Sequence, residues 1–92
     1  MGSGAVGPGV PGVVETEIDG CLALFHPETG RVLVLNATAS DIWRLADGAH
    51  DLAAVTALLA HAYGVRAPEI DHEVALAVAD LRRHGFLPQP TG

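Results

Sequence analysis

The hydrophobic period of this chain changes at Asn36. Before it, apolar residues recur at every second position between turn signals; after it, they recur at spacings of three and four. Strands that all precede helices, in a chain of 92 residues, must share one core with them, so a multidomain enzyme is excluded and an α+β domain is expected. Aromatic residues make up only 4% of the chain, so that core is built from Ala, Val and Leu. A domain of this size buries only about 60–65% of the surface its unfolded chain exposes. It has little room for a deep pocket.

Three strands are expected. From Val13 onward Val14, Thr16 and Ile18 alternate with Glu15 and Glu17, which predicts one apolar and one solvated face, and Asp19-Gly20 supplies a tight hairpin turn. Cys21 to Phe25 and Arg31 to Leu35 follow, separated by Pro27-Glu28-Thr29-Gly30, a four-residue turn closing a second hairpin. In the third strand Val32 and Val34 alternate with Leu33 and Leu35, so neither face reads as solvent-facing.

Three helices come next. Thr38 is the expected N-cap of the first, with Ala39, Ile42, Trp43 and Ala46 on one face and Asp47-Gly48 at its end. Asp51 caps the second, whose apolar face is Leu52, Val55, Leu58, Leu59 and Ala62, stopped by Gly64. Pro68 opens the third, with Glu69, Asp71 and Glu73 near the positive end of its dipole, and Arg82, Arg83 and His84 near the negative end before Gly85. Ile70, Val74, Ala77, Val78 and Leu81 form its core stripe, and Phe86 and Leu87 return to the core. This order is that of a winged helix-turn-helix: a three-stranded antiparallel sheet followed by three helices, over residues 13–87. Residues 1–12 hold five of the 11 glycines and no charge, and are expected to be a disordered arm; residues 88–92 form a C-terminal tail.

Composition removes several functions. The formal charge is −6, and all five basic residues are arginines. The second helix has no Arg or Lys and the third carries more acids than arginines, so no surface suits a phosphate backbone and no nucleic-acid partner is expected. A winged-helix DNA-binding regulator therefore rests on the fold alone. Cys21 is the single cysteine, set in an apolar strand where a thiol acts as a small hydrophobe, so neither a disulfide framework nor a zinc cluster is available. This usage fits a reducing, cytoplasmic setting. No apolar run reaches the roughly 18 residues of a membrane span.

Candidates for chemistry are scattered. His26, His50, His61, His72 and His84 show no metal-ligand spacing, and none is expected beside a nucleophile, so no catalytic residue, metal or cofactor is expected and the chain reads as a non-enzyme. What the pattern leaves open is the third strand. A meander leaves one edge of Arg31, Val32, Leu33, Val34 and Leu35 unpaired, so the third helix covers it or another chain pairs with it.

The run from His26 to Leu45, with its strand ending in Leu35-Asn36 and its helix carrying Ile42-Trp43, resembles the central motif of PqqD-like proteins. The likeness extends through Asp47-Gly48, Leu58-Leu59, Tyr63 and the end Leu81-Arg82-Arg83-His84-Gly85-Phe86-Leu87. Such proteins are recognition elements for the precursors of ribosomally made, modified peptides (RiPPs). The resemblance implies that a leader peptide adds as a strand beside Arg31 to Leu35 and packs on the third helix. On that helix it suggests the flank of Asp71, Val74, Ala75, Val78 and Arg82, with Glu73 and Asp80 on the opposite flank as the alternative. Pro27-Glu28 followed by Thr29-Gly30 is more similar to the stand-alone leader-binding proteins of lasso-peptide systems than to those serving pyrroloquinoline quinone synthesis. The partners implied are a precursor peptide, a leader peptidase and a macrolactam synthetase or another modifying enzyme.

Overall fold

The computed structural model describes residues 5–89, and the remainder of the expected arm and tail lies outside the described residues. Strands β1 (Val14–Ile18), β2 (Cys21–His26) and β3 (Arg31–Val34) form an antiparallel sheet in the order β1-β2-β3. Helices α1 (Ala37–Leu45), α2 (Leu52–Tyr63) and α3 (Ala67–Arg83) follow. The expected α+β architecture is present. Asp19 and Gly20 both take positive φ, at 53° and 83°, the geometry of a two-residue hairpin turn whose twist matches the strands it joins.

The sheet faces the opposite way from the one β1 suggests. Register pairs Glu15 with Leu24 and Glu17 with Leu22, so the glutamates share the helix-facing side with the buried leucines. Trp43 Nε1 donates to Glu15 Oε2 at 2.7 Å, and Arg44 lies 3.8 Å from Glu17. The cause is division of labour: Leu22, Leu24 and Leu35 fill the core, while the edge strand β1 meets only the polar tips of α1. Val14, Thr16 and Ile18 therefore lie on the outer face with Ala23, Phe25, Val32 and Val34. That face is open to solvent, with Val32 65% and Val34 73% exposed, contrary to the expectation that neither face of β3 is solvent-facing. Cys21, also on it, is half-buried rather than a core residue.

Helix α1 is capped by Asn36, whose Oδ1 accepts from the Ala39 N–H at 2.8 Å, and not by Thr38. Asp51 caps α2 and Gly64 ends it in the left-handed conformation, as expected. The buried face of α2 is Val55, Thr56, Leu59 and Ala60, so Leu58 and Ala62 turn outward. Thr56 can sit inside because its hydroxyl donates back to the Leu52 carbonyl at 2.9 Å. Ser40 is fully buried and accepts the Leu22 N–H at 2.9 Å, fastening α1 to the start of β2. Val74, Val78, Leu81, Phe86 and Leu87 complete the core.

Residues 5–12 are not a disordered arm. Val6 is fully buried; its N–H donates to the His50 carbonyl and its carbonyl accepts from Gly48, while Val10 N–H reaches the Phe86 carbonyl. The glycines that suggested disorder permit close approach instead. A Cβ on Gly7 would overlap the Ala46 carbonyl, and one on Gly9 would overlap the Trp43 ring.

Candidate functional site

The helices pack on one another; α1 alone comes close to the sheet backbone, at β2, and its Trp43 and Arg44 side chains reach Glu15 and Glu17 of β1, while Val32 and Val34 of β3 stay 65% and 73% exposed. The third helix therefore does not cover the edge. Leu35 N–H donates to the Leu22 carbonyl at 2.8 Å, so Leu33 and Leu35 point their backbone groups toward β2. By the alternation of an antiparallel ladder, Val32 and Val34 point theirs outward. Two residues of unpaired donors and acceptors are thus presented in extended conformation.

Beside this edge is a cavity of about 250 Å³. Its floor is Leu33, Val34 and Leu35; its end wall is Asn36, Thr38 and Ala39 at the start of α1; its far wall is Glu73, Leu76, Ala77, Asp80 and Leu81 of α3. An added strand would lie between an edge that satisfies its backbone and a wall that takes every second side chain. Leu76, 55% exposed, is the largest uncovered apolar group on that wall.

The expected site residues divide. Leu33, Val34 and Leu35 line the cavity, Val32 shares the open edge, and Arg31 begins the same strand. The α3 flank of Asp71, Val74, Ala75, Val78 and Arg82 is turned elsewhere, which corrects that expectation. Val74 and Val78 are 0% and 1% exposed in the core, and Asp71 faces a separate hollow with Leu52, Ala53 and Thr56 of α2. Ala75 and Arg82 are also absent from the cavity wall. It is the flank of Glu73 and Asp80 that meets the cavity. The missed residues are Leu76, Ala77 and Leu81 of α3, the last two expected only in the core stripe, and the start of α1. Leu76 stands off the core stripe, and an apolar residue in that position was the available signal.

Electrostatics at the site are simple. Asp80 is held by Arg83 three residues on, while Glu73 and Arg31 enter no ion pair among the described residues. The Tyr63 hydroxyl donates to Asp41 Oδ2. Burial, then the hydrogen bond and charge of Asp41, hold its pKa above the ordinary tyrosine value. Among the described residues no cluster of His, Cys, Asp or Glu could hold a metal ion, and no helix is long and apolar enough to cross a membrane.

Residues 21–87 match the family described as Coenzyme PQQ synthesis protein D (PqqD). Among solved structures, TbiB1 in complex with the TbiA(beta) leader peptide is similar in fold, with a TM-score of 0.74 and 24% identity over 86% of this chain and 92% of that one. Lasso peptide synthetase B1 complexed with the leader peptide is similar with a TM-score of 0.73 and 24% identity over 87% and 94%. No curated protein sequence matches the chain.

Proposed function

The chain belongs to the PqqD family, and on that premise we propose that it is a non-catalytic adaptor that captures the leader of a ribosomally made precursor peptide. The observation that carries this reading is the open β3 edge beside the cavity under α3. Backbone pairing with Val32 and Val34 supplies affinity independent of sequence, and the cavity supplies selection of alternate side chains. Two similar folds are bound to leader peptides, which supports the same use here, and lasso-peptide maturation is the pathway we favour. The residues we assign to capture are Arg31, Val32, Leu33, Val34 and Leu35, with Leu76 and Ala77 of α3.

Holding the leader raises the local concentration of the core peptide at a partner enzyme, here a leader peptidase and a macrolactam synthetase acting in a reducing compartment. The family description favours a second reading, the analogous role in pyrroloquinoline quinone synthesis. Precursors of both kinds, labelled at one end, distinguish the two by fluorescence anisotropy.

Val34→Pro tests the mechanism. The Val34 N–H faces the free edge, so proline removes an outward donor and leaves the β2–β3 ladder in place. We expect loss of leader binding with the far-UV spectrum retained. Unchanged binding by this variant refutes strand addition at β3.

A further inference from the structure

Strand addition leaves one quantity unspecified. The interior of β3 reads Val-Leu-Val, and its outward side chains are both valine, so a partner strand could slip by two residues with little change in its neighbours. Something else has to fix the register.

Charges at the two ends of the cleft can do so. Arg31 opens β3 two residues before Leu33, which lines the cavity, so by strand alternation its side chain leaves on the same side of the sheet. At the other end, where β3 runs into α1, stands Glu73. Helix α3 starts just after Tyr63, whose hydroxyl is bonded to Asp41 of α1, and just past its far end Phe86 lies against His26, the register partner of Arg31, so Glu73 in the first half of α3 is on the α1 side of the cavity wall. Asp80, the other acid of the wall, is paired with Arg83 of its own helix. One uncompensated cation and one uncompensated anion thus bracket an apolar stretch of Leu33, Leu35, Leu76 and Ala77. Residues 31 and 35 are about 13 Å apart along an extended strand.

Resting on the reading of β3 as the leader-binding edge, we infer that this cleft selects a leader strand with a cationic side chain beside Glu73, an acidic one about four residues away beside Arg31, and an apolar residue between them. All three share the cavity side, because residues two and four apart in a strand share a face. A strand shifted by two residues loses at least one of these pairs. Reversing the order of the charges sets like against like at both ends. The device sets register and chain direction, whereas backbone pairing sets affinity.

The test uses a phage-displayed library of random segments of about twelve residues, selected on the full chain, on Val34→Pro and on the double variant Arg31→Glu with Glu73→Lys. Both exchanged residues are exposed or outside the core, so the fold is expected to survive, as the far-UV spectrum checks. Segments bound by the full chain and not by Val34→Pro should carry Lys or Arg and Asp or Glu about four residues apart, in one order. The double variant should select the opposite order. For one selected segment made synthetically, Glu73→Gln should weaken binding by roughly two- to fivefold, the range of an exposed ion pair. Edge-dependent segments with no charge order, or with an order unchanged in the double variant, overturn the charge register and leave strand capture standing. Recovery of no segment that depends on Val34 counts against strand capture itself.

Discussion

Replacing Val6 with Ala removes two methyl groups from a side chain with no exposed surface. At about 0.8 kcal/mol per buried methylene the transfer cost is about 1.6 kcal/mol. The cavity left behind adds a further fraction of a kcal/mol, reduced to the extent that the loop after α1 relaxes, so the expected loss is about 2 kcal/mol. In a domain of this size that lowers the midpoint of thermal unfolding by about 10 °C. Equilibrium urea unfolding followed by Trp43 emission measures it directly, because Trp43 is the single tryptophan and Gly9 rests on its ring. Val14→Ala, at a half-exposed position on the outer sheet face, is the control and should cost less than about 0.5 kcal/mol. If Val6→Ala shifts stability no more than Val14→Ala, residues 5–12 are not part of the core and the account of Gly7 and Gly9 fails with it.

Ser40→Ala should cost about 1–3 kcal/mol by the same assay, since it leaves the buried Leu22 N–H without its acceptor; a loss below about 0.5 kcal/mol contradicts that bond. The raised pKa of Tyr63 means that the folded chain holds this proton more tightly than the unfolded one. Its stabilising contribution is complete below the ordinary tyrosine pKa of about 10 and is lost as pH rises through the higher folded value. Stability measured from pH 8 upward, with tyrosinate absorbance as the local probe, should therefore fall at alkaline pH, and Tyr63→Phe should lose that part of the fall.

Much of the site was legible in the sequence for local reasons. The run Arg31 to Leu35 declares a strand, its place at the end of a meander leaves one edge for the third helix to cover or another chain to pair, and the resemblance to PqqD-like proteins follows from residues on either side of it. The wall opposite was not legible. Helix α3 has apolar or small residues on both sides of its core stripe, Ala75 on one and Leu76 on the other, and periodicity cannot say which side lies over β3. Only the packing of α3 on α1 and α2 fixes that rotation, which buries Val74 and Val78, turns Asp71 toward α2 and leaves Glu73, Leu76 and Asp80 along the cleft.

The outer sheet face and the N-terminal arm show the same division. Alternation in β1 states that its two sides differ, and strand, turn and helix could be read along the chain because they follow from neighbours a few residues apart. Which side turns inward depends on what waits there: the Trp43 indole N–H and Arg44 gave Glu15 and Glu17 partners, and leucines of β2 and β3 had already filled the space. Likewise a Gly-rich segment reads as flexible until the surface it lies on is known. Tertiary structure decided both, because burial and close approach join residues far apart in the chain, and their complementarity exists only once the surfaces meet.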